Sequence, residues 1–291
     1  MQKLLQACRE SGAFWMVVAG LSFALMGVFV KLGAAQFSTA ELVFYRCAAG
    51  LIGIAAMVIP QGRSLKVSRS KLKLHLSRGI SGFIALMLYF YAISHLPLAT
   101  AVTLNYTSPL FFMLILTLHR KQSFSWQQLS SVLLGFMGVV LLLKPTLSAE
   151  QWLPGLLGLG SGFLASVAYL NVSELGKAGE PEWRTVFYFS LVATVGAALF
   201  MAAQAAPLHV PSLRDWAVVI GMGLTATIAQ LSMTRAYRKG RSVVVVSLAY
   251  LTVLFSTLLA VLIWGDSLTL GAAVAMGLII AAGILAGATR S

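Results

Sequence analysis

The sequence predicts an all-α polytopic membrane protein with ten transmembrane helices. Three observations carry this. Of 291 residues, 59% are hydrophobic and only 10% charged, with a mean hydropathy of +0.88; a soluble domain carries roughly 25% charged residues. The apolar residues come in continuous blocks of about twenty, the length a helix needs to cross the hydrocarbon, whereas a β-barrel would show alternating segments of about ten. The polar and basic residues collect in the short intervals between blocks. In lipid each backbone group must be satisfied within its own segment, so blocks of this kind are helices.

The blocks run roughly over 13–32, 39–60, 75–94, 98–118, 127–143, 154–174, 184–205, 215–237, 242–262 and 269–289. The first follows Lys3 and Arg9, as a signal peptide would, but it is too long for a signal core and Lys31 interrupts its end. The second holds Arg46 in an otherwise apolar run. The fourth is entered through the tight turn SHLPLA, with Pro97 at the helix start, and Pro109 in its interior frees a carbonyl and kinks the span. The fifth is near the minimum spanning length. Cys8 and Cys47, one in the N-terminal tail and one inside an apolar block, suggest no disulfide framework.

The net charge of +13 would suit a nucleic-acid partner, but the charges sit where a membrane protein places its topology signals. Taking the N-terminus as cytoplasmic puts seventeen basic residues on that side, Arg78 and the loop RSLKVSRSKLK among them, against Lys144 and Arg214 opposite, with Lys31 and Arg46 set aside. The positive-inside rule then places both termini in the cytoplasm. The basic loop suits anionic lipid heads as well as orientation. The tryptophans, Trp183 included, fall near block ends and read as interfacial anchors.

The chain also repeats itself. Shifted by 144 residues, LPLATAVTLNYTSPLF (96–111) lies over GRSVVVVSLAYLTVLF (240–255), so that Tyr106 meets Tyr250 and Gly79 meets Gly223; a shift of 143 superposes the two VFY triplets at 43–45 and 186–188. The near-constant offset divides the chain into two five-helix halves, 1–148 and 149–291. Five is odd, so the second half must enter the membrane from the opposite side. Such inverted repeats are a transporter architecture.

These features resemble the drug/metabolite transporter superfamily, in its ten-helix EamA-type branch. The resemblance rests on the duplicated halves, the arginine of FYRCAAG, and the corner YAISHLPLATAVTLNYTSPLFFMLI. The second corner, RAYRKGRSVVVVSLAYLTVLFSTLLA, departs from the family pattern, with valines at small-residue positions and Val253 at the proline's place. The resemblance implies secondary transport, often export, through a cavity lined by both halves. It does not specify a substrate.

Arg46 is the sharpest candidate. At membrane depth an arginine costs about 2.5–3.5 kcal/mol on insertion scales, so it should face the bundle interior or water. It either binds an anionic group of the substrate or takes part in a gate; the alternative is a permanent pairing with Glu41 or helix-end carbonyls. Lys31 either snorkels or joins Glu41 and Arg46 in an outer gate. Asn105 and Tyr106 concentrate polarity in the fourth block, with Tyr250 at the matching place in the ninth; Tyr89, Gln230, Tyr169 and Asn171 complete the expected substrate-binding set. For each of these, inter-helix hydrogen bonding or packing is the competing role. Glycine spacings in GFMG and GILAG would allow a homodimer through the fifth and tenth helices.

No Walker motif, metal-ligand cluster or nucleophile–base spacing is visible, so no catalytic residue, metal or cofactor is expected. The reading is a secondary transporter moving a small organic metabolite, amino-acid-like or amphipathic, across a bacterial-type inner membrane by alternating access, as an exporter. An importer of a vitamin or nucleoside-type molecule is the alternative within the same fold. A lipid enzyme would need an interfacial polar cluster, and a receptor would not need inverted halves.

Overall fold

The computed structural model describes residues 11–204, 211–265 and 267–288. Lys3, Cys8 and Arg9 lie outside them. Ten helices are long and apolar enough to cross a membrane. We label them α1 (Gly12–Gly33), α2 (Thr39–Val58), α3 (Arg69–His95), α4 in two pieces, α4a (Leu98–Asn105) and α4b (Ser108–Arg120), α5 (Trp126–Leu143), α6 (Trp152–Lys177), α7 (Glu182–Ala203), α8 (Leu213–Lys239), α9 likewise as α9a (Ser242–Ala249) and α9b (Leu251–Trp264), and α10 (Leu270–Ala288). Among the described residues there is no strand.

Local chemistry sets several helix starts. Ser38 and Glu41 form a reciprocal capping box at α2, Ser125 and Gln128 at α5, and Ser212 and Asp215 at α8, each satisfying backbone N–H groups that the first turn leaves open. The third span starts six residues earlier than its apolar block suggests, at Arg69 rather than 75. This matters for Arg78, which is therefore not a loop charge. It lies about 13 Å along α3, at 1.5 Å per residue.

Helices α4 and α9 are both interrupted, at places that correspond under the 144-residue shift. In α4, Pro109 falls in the first turn of α4b, where its missing N–H is tolerated. The Thr107 hydroxyl caps the Leu104 carbonyl at 2.5 Å, and Gly162 of α6 packs against the same carbonyl. The interruption of α9, at Tyr250, has no proline. There a tight Val253 N–H to Tyr250 carbonyl bond of 3.1 Å closes the turn, and the Tyr250 ring is seated on Gly135 of α5, where a Cβ would come within 2.5 Å of it.

Most helix pairings survive when each span is exchanged for the one five places on. α1 packs on α8 and α6 on α3; α3 packs on α7 and α8 on α2; α1 packs on α9 and α6 on α4; the pairs α2–α7 and α5–α10 exchange into themselves. The correspondence reaches single residues: Gly79 faces Val192, and Gly223 faces Ala49. Among the described residues several pairings lack a counterpart of like extent: α6–α8, α7–α8, α5–α9a and α6–α7. α6 packs on α8, with Gly176 against Arg238, whereas α1 and α3 are not so packed among the described residues. The glycines of GFMG are used within the chain: Gly138 fits against Ile279 and the Ala275 carbonyl of α10, and Gly135 against Ala282.

At the end of the bundle that carries the basic loops, Glu180 is 3% exposed and ties the halves together. Its carboxylate accepts from Lys71 Nζ at 2.8 Å and from Arg184 Nη1 at 2.9 Å, with His75 Nε2 at 3.3 Å. Arg184 donates onward to the Ser64 carbonyl and Tyr188 to the Leu65 carbonyl. Burial alone would raise the Glu180 carboxyl, but the hydrogen bonds from Lys71, Arg184 and His75 outweigh it and hold the group below the ordinary carboxylate range. Trp183, expected as an interfacial anchor, is instead buried in this region against Ile54, Val58 and Val186. Trp126 and Trp152 are exposed, as interfacial residues should be.

Candidate functional site

Arg46 lies two turns into α2 and is 8% exposed, so it faces the bundle interior rather than lipid. It lines a narrow crevice with Cys47 and Gly50 of α2, Val186, Phe189 and Ser190 of α7, and Ala226, Thr227 and Gln230 of α8. The walls thus come from both halves of the chain. Gly50 keeps the crevice narrow: a Cβ there would stand 3.1 Å from Ser190 Oγ and 3.2 Å from Thr227 Oγ1. The open volume is about 10 Å³, room for about one water.

A second arginine reaches the same walls from α3. Arg78 is 3% exposed; its Nη2 donates to Gln230 Oε1 at 3.2 Å, and its guanidinium carbon lies 4.1 Å from the centroid of the Phe189 ring. Instead of snorkelling to the near interface, the side chain folds forward over Gly82, where any Cβ would collide with Nη1. Its Nε has no partner. Phe189 is the residue that the 143-residue shift places on Arg46, so the second half offers an aromatic face where the first offers a cation. Arg46 and Arg78 act electrostatically on each other and on Tyr169. Sequence reasoning counted Arg78 as an orientation charge; the helical run continuing to Arg69 was the signal that could have placed it inside.

Of the other expected site residues, Gln230 and Tyr169 join the arginines. Tyr169 stacks on Tyr237 of α8 with ring centroids 5.4 Å apart, and Tyr237, which the sequence did not single out, is itself within electrostatic reach of Arg78. Tyr106 and Tyr250, the residues at the two helix interruptions, approach each other with centroids 6.4 Å apart. Tyr250 is fully buried, and among the described residues its hydroxyl has no hydrogen-bond partner. Tyr89 lies alongside Phe90 and packs at the α3–α4a corner.

Asn105 and Asn171 both engage other helices: Asn105 Nδ2 donates to Ser161 Oγ at 3.1 Å, and Asn171 Nδ2 to Ser77 Oγ at 2.9 Å. Lys31 and Glu41 do not gather with Arg46. Lys31 Nζ sits 3.7 Å from the centroid of the Trp264 ring, and Glu41 Oε2 accepts from the Ser38 backbone at 2.7 Å. Among the described residues Arg46 has no ion pair and no side-chain hydrogen bond.

A larger cavity of about 300 Å³ opens at the other end of the bundle, among Leu141, Lys144, Thr257, Ser267 and Thr269. It is walled by α5, α9b, α10 and residues 267–269, and shares no lining residue with the crevice at Arg46. The smaller crevice is the better candidate, because buried charge in an apolar bundle marks a pathway more reliably than volume does. Among the described residues no group of His, Cys, Asp and Glu side chains has the makings of a metal site.

A site of buried cations and aromatic rings between two corresponding helix sets suits recognition of a small polar molecule, and comparison of the whole chain with known proteins gives its family. The chain is 30% identical over 269 residues to a pseudopaline exporter of Pseudomonas aeruginosa, covering 91% of this chain and 93% of that one. It is 26% identical to a riboflavin transporter of Vibrio cholerae, over 78% and 76% of the two chains, and 24% identical to an S-adenosylmethionine uptake transporter of Rickettsia bellii, over 88% and 86%. A solved crystal structure superposes with a TM-score of 0.82 at 20% identity, covering 96% of this chain and 99% of that one, which shows the shared fold. The EamA-like transporter family matches twice, at residues 10–144 and 152–287, and the chain is therefore a multi-pass membrane transporter, not an enzyme, of the EamA-like family within the drug/metabolite transporters.

Proposed function

We propose that this transporter moves a small organic metabolite with an anionic group by alternating access, outward across the inner membrane, and that Arg46 holds the anionic group. The observation that carries the proposal is the placement of Arg46: a buried guanidinium with no carboxylate partner among the described residues, in a crevice walled by both halves of the chain. An unpaired charge in a low-dielectric interior is costly unless water or a ligand compensates it. Tyr169 and Tyr237 offer rings for the apolar part of the molecule.

The halves 1–148 and 149–291 act as inverted repeats in this reading. The exchange of helix partners supports it. Among the unmatched pairings, α6–α8 is closed at the basic end while its counterpart α1–α3 is not so packed among the described residues, the asymmetry expected of one state of an alternating pair. With the basic end in the cytoplasm, this is a state closed to the cytoplasm, and both termini are cytoplasmic.

The test is transport by reconstituted protein. Purified wild type and Arg46→Ala are first screened by thermal shift against amino acids, vitamins, nucleosides and polyamines, and the hits are followed in liposomes. The expected result is one stabilising chemical class, lost in a variant that still folds. A hit that Arg46→Ala retains moves the site elsewhere. The riboflavin and S-adenosylmethionine transporters among the relatives favour a second reading, uptake of a vitamin or nucleoside-type molecule. Inside-out against right-side-out vesicles decide the direction.

A further inference from the structure

Resting on the reading of Arg46 as an anion-binding residue, we infer that the substrate carries two carboxylate groups, one met by Arg46 and the other by Arg78. Among the described residues the site holds two cations and no carboxylate to balance them. The six described acidic residues lie elsewhere: Glu41 in the α2 cap, Asp215 in the α8 cap, Glu150 before α6, and Glu174, Glu180 and Glu182 at the basic end, where they pair with Lys177, Lys71 and Arg238 respectively. Among the described residues Arg78 has only a neutral amide and a ring face, and its Nε has no partner although the residue is 3% exposed. Arg46 has neither an ion pair nor a side-chain hydrogen bond among the described residues.

Two like charges facing each other in an interior repel more strongly than in water, and one anion neutralises only half of the excess. The cations also come from different helices and meet the crevice at different points. Arg46 lines it directly from α2, whereas Arg78 stands behind Gln230 and Phe189, both of which are wall residues. Apart from Arg46 the wall is neutral, with Ser190 and Thr227 hydroxyls against Gly50. That order suits a carboxylate at each end of a short spacer. Gln230 Oε1 then marks the place of the second carboxylate, because it supplies Arg78 with the oxygen acceptor that a substrate would replace.

The experiment measures binding to the full-length protein in detergent by calorimetry, using glutarate and adipate, the monocarboxylates valerate and hexanoate of matching chain length, and glycerol 3-phosphate. Wild type is expected to bind the dicarboxylates at least tenfold more tightly than the monocarboxylates, and Arg46→Gln and Arg78→Gln each to abolish that difference. If Arg78→Gln does not fold, Gln230→Glu carries the test. It gives Arg78 an internal carboxylate and should turn the preference towards the monocarboxylates, with folding checked by size exclusion and by the unliganded melting temperature.

Equal affinity for the two carboxylate sets in wild type, preference for the phosphate monoester, or an unchanged preference in a folded Gln230→Glu protein overturns the inference. If equal affinity is accompanied by loss of all anion binding in Arg46→Gln, the transport reading stands and only the second carboxylate falls. If no probe binds wild type, the inference falls. The transport reading falls with it only if Arg46→Ala also transports normally.

Discussion

Arg78 of α3 donates to Gln230 of α8 at 3.2 Å, joining two buried polar side chains 152 positions apart and from opposite halves of the chain. Gln230 Oε1 is the one side-chain acceptor that Arg78 has among the described residues. Gln230→Leu keeps the volume and removes the acceptor. It is expected to lower stability by about 1–3 kcal/mol, the cost of leaving a buried polar group unsatisfied, read as a lower melting temperature in detergent. An unchanged melting temperature would mean that water already satisfies the guanidinium.

Removing the Arg46 charge should leave folding intact and impair transport. Among the described residues no carboxylate pairs with this side chain, so its loss breaks no ion pair there. A charged hydrogen-bonding partner contributes about 1.5–3 kcal/mol, so Arg46→Ala should weaken ligand binding by about ten- to a hundredfold. Arg46→Lys separates planar two-point recognition from charge alone: full recovery with lysine would point to charge.

Gly82 gives the Arg78 guanidinium its place, and Gly82→Ala puts a methyl group into it. The charge remains but its position shifts, so the expected outcome is weaker binding with insertion and expression unchanged. Wild-type affinity in Gly82→Ala would show that the forward-folded orientation is dispensable.

The Glu180 cluster predicts a pH dependence at the basic end. The folded-state carboxyl lies below its ordinary value of 4.5, so its contribution is present above that pH and is lost as the pH falls through the folded value. Glu180→Gln should lower stability at neutral pH by about 2 kcal/mol, the scale of hydrogen bonds to charged groups. It should also flatten the acid limb of a melting-temperature profile. An acid limb identical to that of wild type would assign the acid sensitivity to other groups.

Topology is checked with reporters. Alkaline phosphatase fused after Ser291 should be inactive, and the same enzyme inserted between α5 and α6 should be active. The reverse pattern would invert the orientation and place the closed α6–α8 seam on the periplasmic side.

The sequence by itself determined the class, the ten spans and the correspondence of Tyr106 with Tyr250, because hydrocarbon thickness sets block length and duplication leaves an offset that needs no structure to read. It also placed Arg46 in the interior, since lipid rejects an unpaired guanidinium. Only the tertiary structure decided which way Arg78 turns, that Asn105 and Asn171 bond neighbouring helices, that Lys31 covers Trp264 apart from Arg46, and that Tyr250 breaks α9 without a proline. The physical reason is that these helices are apolar on nearly every side. A soluble amphipathic helix marks its buried face with a stripe. In a membrane bundle lipid and core are equally apolar, so partners are chosen by close fit. Gly82 beneath a guanidinium and Gly135 beneath a tyrosine ring are such fits, made between residues that the chain's order does not connect.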